Sequence, residues 1–326
     1  MATQTATNRL ETFHKCRAWT LLGLLFVFVG SVGTLLAQAP TRPQIIGISQ
    51  IALFSHNYEK SRAYYGDFLG LQQLYPLRRF HSSKSVALFR INDRQYIELI
   101  PERTPLTDRL SHISLQTNDA EALRLYLSSK GVVVPRHLHR SKLGIRSFSV
   151  TDPEGHRIEM LQYLPDALIL RTNGKGTQEK PISNRMAHVG LIVISLPPEY
   201  SFYADILRFK ETYRGSMSGT VLSWVNLKVP NGDDYIELML YKQAPDAAHR
   251  GGAHHLCLQV ADVPSSVAEL EGRPYFQEYG HPFSIRLGVN RKRQINLFDP
   301  DGTRLELMEP HTIDGKPVAS SNAPPP

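Results

Sequence analysis

The sequence predicts an α+β fold built from four βαβββ modules in two pairs. The first observation is a short apolar strand that recurs four times and opens with histidine or glutamine. The second is a later apolar strand that also recurs four times and carries a single glutamate. Repeats of this length mark supersecondary units that pack against one another. We expect a first pair over residues 44–165, a linker over 166–182 and a second pair over 183–310.

Each module begins with an opening strand and continues into a helix. The opening strands are residues 50–53, 112–115, 188–191 and 255–258. The helices of the first and third modules share the pattern aromatic-Tyr-x-Asp-x-Leu, which ends at Leu69 and Leu207. Asn57 is expected to cap the first helix, and Pro197 to lie at the start of the third. Plainer helices are expected at residues 120–129 and 264–270.

Short strands, a turn and the glutamate strand complete each module. The turns fall at residues 92–93, 152–155, 231–233 and 299–302, and their Asn, Asp, Pro and Gly residues favour chain reversal. The glutamate strands follow at residues 96–100, 157–161, 235–239 and 304–308. Each module therefore has the order βαβββ.

The repeated glutamates predict metal binding. A carboxylate surrounded by hydrocarbon is costly unless a cation meets it, and each glutamate follows its opening Gln or His at nearly the same spacing. If the first and last strands of a module lie side by side, each half supplies four ligands. The predicted sets are Gln50, Glu98, His112 and Glu159 in the first half, and His188, Glu237, His255 and Glu306 in the second. Such oxygen and imidazole ligands suit Fe(II), Mn(II), Ni(II) or Zn(II).

Several positions within these sets have an alternative reading. Gln50 is the weakest ligand of the eight, because a neutral amide oxygen binds a cation less strongly than imidazole or carboxylate. The alternative is that the first-half site is a relic, with Gln50 bonded to neighbouring backbone. His255 is preferred to the adjacent His254, because strand alternation points His254 the other way. Cys257 is interpreted as a packing residue. The remaining histidines, His156 among them, are assigned to surface loops and turns.

The first 39 residues predict export to the periplasm or the extracellular space. Arg9, Lys15 and Arg17 precede an apolar stretch over residues 18–36, and small residues follow at 37–39, the pattern of a signal peptide. Pro40 would hinder cleavage after residue 39. The alternative is therefore an uncleaved segment that anchors the protein to a membrane.

Composition indicates which classes of partner, disulfide and tail structure to expect. The formal net charge is +7, but the basic residues are scattered, so nucleic acid is not expected and a small-molecule substrate is. Cys257 is the only cysteine after residue 39, which excludes a disulfide within the exported part. Residues 311–326, rich in Pro, Ser and Ala, are expected to form a disordered tail. The oligomeric state stays open.

The repeated βαβββ units, the Tyr-x-Asp-x-Leu helix ends, the Asp-Pro-Asp-Gly turn and the terminal Leu-Glu-Leu resemble the vicinal oxygen chelate superfamily. The resemblance covers residues 44–310 and implies that each pair forms a cupped eight-stranded sheet around a metal. The first-half set is similar to the Gln-Glu-His-Glu set of some glyoxalase I enzymes, and the second-half set to the His-Glu-His-Glu set of others. By this resemblance, Glu159 or Glu306 would be the catalytic base of a lyase or isomerase.

The same resemblance leaves two other functions open. In an extradiol ring-cleaving dioxygenase, Fe(II) would be held in the C-terminal half by His188, His255 and Glu306. Glu237 is a carboxylate that this arrangement does not need. The third function is a binding protein similar to the bleomycin-resistance proteins, which generally lack the metal ligands. The intact ligand sets favour the enzymes, and the glyoxalase-like chemistry over ring cleavage.

Overall fold

The computed structural model describes residues 40–78, 85–104, 108–171, 180–247 and 249–326. The predicted export signal lies outside these residues. Within them, no helix combines the length and the apolar character needed to cross a membrane.

The four modules follow one another along the chain. The first contains β1 (Ile45–Ser55), α1 (Tyr58–Ala63) continued by a π-helical turn (Tyr64–Phe68), β2 (Gln72–Arg78), β3 (Ser85–Arg90) and β4 (Tyr96–Pro101). The second contains β5 (Leu110–Thr117), α2 (Ala120–Ser129), β6 (His139–Arg140), β7 (Ile145–Thr151) and β8 (Arg157–Tyr163). The short helix α3 (Leu168–Arg171) falls in the predicted linker.

The second half repeats this order. Its third module contains β9 (Met186–Val193), α4 (Leu196–Tyr200) with a π-helical continuation (Ser201–Ile206), β10 (Lys210–Gly215), β11 (Trp224–Lys228) and β12 (Tyr235–Leu240). After α5 (Arg250–Ala253), the fourth contains β13 (His255–Gln259), α6 (Val263–Glu271), α7 (Phe276–Tyr279), β14 (Arg286–Leu287), β15 (Arg293–Phe298) and β16 (Arg304–Met308).

The strands form two eight-stranded sheets of the same topology, which confirms the predicted α+β fold. The orders are β2-β3-β4-β1-β5-β8-β7-β6 and β10-β11-β12-β9-β13-β16-β15-β14. Each opening strand pairs in parallel with the glutamate strand of its own module, and the two opening strands of a sheet pair antiparallel. The four strands that carry the predicted ligands are therefore adjacent at the centre of each sheet.

Strand alternation separates the core from the site in each sheet. Ile51 and Leu53 of β1, and Val189 and Leu191 of β9, are almost fully buried in a hydrophobic core that also takes in the helices. Burial of such side chains stabilises the fold by roughly 1.5–3 kcal/mol each. The residues between them face the other side of the sheet. That second face carries the predicted ligands.

The two Asp-Pro turns connect the halves through buried tyrosines. The hydroxyl of Tyr65 donates to Asp299 at 2.9 Å, and the hydroxyl of Tyr203 donates to Asp152 at 3.1 Å. The tyrosine of the aromatic-Tyr-x-Asp-x-Leu pattern thus has the same role in both halves. Asn57 precedes α1 as expected, but its side chain makes no cap and instead donates to Asp301.

The tail after residue 310 is ordered against the second sheet, in contrast to the expected disorder. The backbone N–H of Ile313 donates to Arg291, that of Ser321 donates to Arg214, and Pro324 accepts from Leu222. Arg214 lies on β10, which is an edge strand with unpaired backbone groups. The polar tail satisfies some of these groups, and a composition argument cannot detect that.

Candidate metal centres

The second half brings all four of its predicted ligands together. Nε2 of His188 lies 3.2 Å from Nε2 of His255 and 3.2 Å from Oε2 of Glu306. Oε2 of Glu237 lies 3.2 Å from Nε2 of His255 and 3.9 Å from Nε2 of His188. Two imidazoles and two carboxylates thus converge on one buried point.

A glycine makes room for this arrangement. Gly190 lies opposite His255 in the pairing of β9 with β13. A Cβ at Gly190 would lie 2.0 Å from Cε1 of the His255 ring, far inside ordinary contact distance. The absence of a side chain therefore lets the His255 ring cross β9 and reach His188.

The other nitrogen of His255 is held from two sides. Nδ1 lies 3.0 Å from the carbonyl oxygen of Ala253 and 2.6 Å from Nη2 of Arg304. Arginine can only donate, so its contact favours a proton on Nε2, directed at Glu237. Ligation through Nε2 would instead require the proton on Nδ1, where Ala253 can accept it.

The carboxylates of this cluster are ionised. Burial alone would raise the pKa of Glu237, but His188 and the hydrogen bond with His255 outweigh it and hold the pKa at about 2. Burial likewise opposes ionisation of Glu306, whose pKa is nevertheless lowered by the hydrogen bond and charge of His188. Burial lowers the pKa of His255, which keeps this imidazole available as a neutral ligand.

Cys257 contributes more than packing to this cluster. It is fully buried with Ala187 and Met308, as the packing interpretation required. It also pairs with His188 on one side and Glu306 on the other, and one ligand atom from each of the three lies within 4.8 Å of the others. Burial raises the pKa of its thiol. Its position two residues after His255 was the signal in the sequence for this placement.

The first half brings its four predicted ligands together more loosely. Nε2 of His112 lies 3.7 Å from Oε2 of Glu98 and 3.8 Å from Oε2 of Glu159. The side-chain amide of Gln50 donates to Glu98 rather than to neighbouring backbone. The hydroxyl of Ser114 donates to Oε2 of Glu159 at 2.7 Å and orients that carboxylate.

The two halves match position by position. Gln50, Ala52, His112 and Ser114 occupy the places that His188, Gly190, His255 and Cys257 occupy in the second sheet. A tyrosine precedes the first glutamate of each half by two residues, and an arginine precedes the second by two. Ala52 in place of Gly190 is the difference that accompanies the wider spacing around His112.

A cavity of about 760 Å³ opens over the first-half cluster. All four predicted ligands line it, and Val86, Leu88 and Ile145 supply apolar walls. Three basic side chains, those of Arg140, Lys142 and Arg157, also line it. No motif in the sequence predicts this basic wall, because Arg140 and Lys142 at the end of β6 meet Arg157 of β8 only in the folded sheet.

Both clusters fit a divalent cation by the chemistry of their donors. Imidazole nitrogen with carboxylate oxygen is the ligand type of Fe(II), Mn(II), Ni(II) and Zn(II). Among the described residues, Nδ1 of His188 and Oδ1 of Asn226 are buried without a hydrogen-bond partner. Asn226 lies directly opposite Glu237 in the sheet. Both clusters are therefore candidate metal sites, and the second-half cluster also has two buried polar atoms in or beside it that make no hydrogen bond within the described residues.

Known structures share the fold over most of the chain. The 2,3-dioxygenase LapB from Pseudomonas sp. KL28 superposes with a TM-score of 0.64 at 15% identity, over 86% of this chain and 98% of its own. A Mn(II)-bound glyoxalase from Novosphingobium aromaticivorans gives 0.61 at 15%, over 87% and 89%. Homoprotocatechuate 2,3-dioxygenase from Brevibacterium fuscum, solved with 3,4-dihydroxyphenylacetate, gives 0.61 at 16%, over 87% of each chain.

Sequence comparison identifies the family. No curated protein matches the chain. A family model does match both halves, over residues 47–160 and 185–307. The first range spans the first-half cluster, and the second range spans the second-half cluster. The chain therefore belongs to the Glyoxalase/Bleomycin resistance protein/Dioxygenase superfamily.

Proposed function

We propose that the protein is a divalent-metal-dependent enzyme that moves a proton on a small substrate with two adjacent oxygens, as a glyoxalase-like lyase or isomerase. The observation that carries this proposal is the pair of glutamates in each cluster. The facial arrangement of Fe(II) oxygenases uses two histidines and one carboxylate. A second carboxylate beside the cation can instead take up a proton as a general base. Each half has both glutamates within 3.9 Å of a histidine nitrogen.

The first half is the better candidate for the working site. Its four donors line the 760 Å³ cavity, which is large enough for a small substrate. Gln50, Glu98, His112 and Glu159 would hold the cation there. The cation, when bound, supplies Lewis-acid polarisation of a substrate carbonyl.

Glu159 is the proposed base of the first half. Its side chain is 18% exposed on the cavity side, and Ser114 holds one of its oxygens in place. Glu159 would take the proton from the carbon beside the polarised carbonyl and return it to the neighbouring carbon. The electron pair of the broken C–H bond shifts towards the carbonyl oxygen. When the proton is returned to the former carbonyl carbon, the hydroxyl of the first carbon passes its proton to the former carbonyl oxygen. The hydroxyl and the carbonyl thus exchange places, and no redox partner is needed.

The basic wall supports an anionic substrate. Arg140, Lys142 and Arg157 line the same cavity as Glu159. Because the cavity already holds two carboxylates, a substrate anion would bind along the basic wall rather than at the glutamates. We expect a hemithioacetal of a 2-oxoaldehyde to be turned over faster when its thiol part carries a carboxylate than when it is neutral.

Extradiol ring cleavage is the second candidate, and one observation favours it. His188, His255 and Glu306 bring two imidazoles and one carboxylate together, the facial arrangement used by Fe(II) oxygenases. The Brevibacterium fuscum enzyme with a similar fold was solved with a catechol acid. Glu237 counts against this candidate, because it occupies the same point as a second carboxylate.

A single experiment separates these functions. The purified protein is analysed for bound metal, and oxygen consumption is followed with 3,4-dihydroxyphenylacetate under air. Turnover of a 2-oxoaldehyde hemithioacetal is then followed without oxygen. Oxygen-independent turnover with Mn, Ni or Zn supports proton transfer. Bound iron together with oxygen uptake would contradict the proposal and favour ring cleavage. Tight binding of either compound to the metal-free protein, without turnover, would contradict it and favour a binding function.

Export is a separate proposal that rests on residues 1–39. Cell fractionation with mass measurement of the recovered protein tests it. Recovery outside the cytoplasm with the mass of residues 40–326 supports cleavage, and full-length protein in the membrane fraction supports the anchor. Full-length protein in the cytoplasm would contradict both.

A further inference from the structure

We propose that Asp152, His156 and Glu199 form a third divalent-cation site, at the contact between the two halves and independent of the proposed function. Asp152 follows β7, His156 precedes β8, and Glu199 lies on α4 of the other half. Nδ1 of His156 is 2.8 Å from Oδ2 of Asp152 and 3.8 Å from Oε1 of Glu199. One ligand atom from each residue lies within 4.8 Å of the other two.

The carboxylate of Glu199 is only half satisfied. The side chain is fully buried. Its Oε2 accepts from the backbone N–H of Glu154 at 3.2 Å, but its Oε1 has no hydrogen-bond partner in the part of the chain that the structure describes. A buried carboxyl oxygen that has lost its water and gained no hydrogen-bond partner destabilises the folded state. A cation between Glu199, His156 and Asp152 would remove that destabilisation.

The Asp299 turn makes the equivalent contact with the first-module helix, and that contact shows which residues are needed to pack such a turn on a helix. There Tyr65 donates to Asp299, as Tyr203 donates to Asp152. Ser61 and Thr303 occupy the places of Glu199 and His156. Serine and threonine therefore suffice to dock one turn, and the Asp–Tyr bond is common to both. The histidine and glutamate of the first contact need another explanation.

A second cavity reaches the cluster at His156, although Asp152 and Glu199 do not line it. Its volume is about 330 Å³, and His156, His254 and Asp108 are among the residues that line it. Arg157 and Arg250 line it as well, so its charges are mixed. Imidazole nitrogen and carboxylate oxygen both ligate Zn²⁺, and a site with three protein ligands keeps a fourth position for water, which this cavity could supply at His156.

A proton is the competing occupant of the site. Burial alone would lower the pKa of His156, but its hydrogen bond to Asp152 and the nearby carboxyl of Glu199 raise the pKa to about 9. Burial also raises the pKa of Glu199 to about 8. A cation must therefore displace protons from both His156 and Glu199, because ligating atoms carry none. The assignment of His156 to the surface was wrong, since its side chain is 11% exposed and lies between two carboxylates.

Zinc stoichiometry of the full chain tests the proposal. Zn²⁺ is added to the metal-free protein, unbound metal is removed, and the remainder is counted by native mass spectrometry. Glu199→Gln and His156→Thr are each expected to lose one equivalent. Ser61→Ala, at the matching buried place of the other contact, is expected to lose none. Unchanged stoichiometry in Glu199→Gln and His156→Thr would overturn the proposal.

A second measurement keeps the test independent of folding of those variants. The double variant His112→Ala/His188→Ala weakens both clusters of the proposed function and leaves the third site intact. It is expected to retain one equivalent of Zn²⁺ that is lost on acidification, as protons compete for His156. If it retains none, only a proton occupies this site and the proposal fails. If only the proposed enzymatic function is wrong, the third site should still bind its one equivalent of Zn²⁺.

Discussion

Gly190→Ala is the sharpest test of how the second-half cluster is built. The new Cβ would lie 2.0 Å from Cε1, 2.1 Å from Nδ1 and 2.9 Å from Nε2 of His255. Ordinary carbon contacts are about 3.5–4.0 Å, so the ring would have to move by about 1.5 Å. Gly190 cannot retreat, because β9 is paired on both sides, with β12 and β13.

A displacement of this size removes His255 as a ligand. Metal sites tolerate ligand shifts of only about 0.2 Å, and even the loss of a supporting residue weakens metal binding 10- to 100-fold. We expect Gly190→Ala to weaken the affinity of the second-half cluster at least about 100-fold. The affinity of the first-half cluster should stay the same.

Competition titration against a chromophoric chelator measures both affinities in one chain. The matched control is Ala52→Gly, which removes the equivalent methyl group beside His112 and introduces no clash. It is expected to cost about 0.5–1 kcal/mol of stability and to keep both metal affinities. Unchanged second-half affinity in Gly190→Ala would refute the role given to this glycine and to His255.

Three further predictions follow from the described contacts. Glu159→Gln should lower kcat by about 10²–10⁴-fold in the proton-transfer assay, and a larger loss in Glu306→Gln would move the working site to the second half. Burial raises the pKa of Asp234 to about 6, well above the ordinary value of an aspartate. Between pH 4 and 6 the folded state therefore holds a proton that the unfolded state has lost. The free energy of unfolding, compared with that of Asp234→Asn in urea titrations, should fall by at most about 3 kcal/mol as pH rises from 4 to 6. A rise over this range would contradict the sign of the pKa shift. Removal of residues 311–326 should lower the free energy of unfolding by about 1–4 kcal/mol through three lost backbone hydrogen bonds, and unchanged stability would contradict the ordered tail.

The repeat made the fold and the eight candidate ligands predictable. Parallel pairing of the first and last strands of a module brings Gln50 next to the Glu98 strand and His188 next to the Glu237 strand. Period-two alternation then fixes which side chains share a face. The same alternation would also have found Ser114 and Cys257, since each lies two residues after its histidine.

Contacts between distant modules could not be predicted in this way. Glu199 meets Asp152 only because the third-module helix packs on the second-module turn, and no local pattern in the sequence specifies that docking. The tail is similar, because its partner Arg214 lies on a sheet edge about a hundred residues earlier. Composition described the tail as polar but could not identify an edge strand that would bind it.

We propose that both four-residue clusters bind a divalent cation. Anomalous diffraction from crystals equilibrated with Mn²⁺ tests this, because the peaks locate the metal without reference to activity. We expect one peak among His188, Glu237, His255 and Glu306 and another among Gln50, Glu98, His112 and Glu159. The absence of a peak at both clusters, at a Mn²⁺ concentration that saturates the protein in solution, would contradict it.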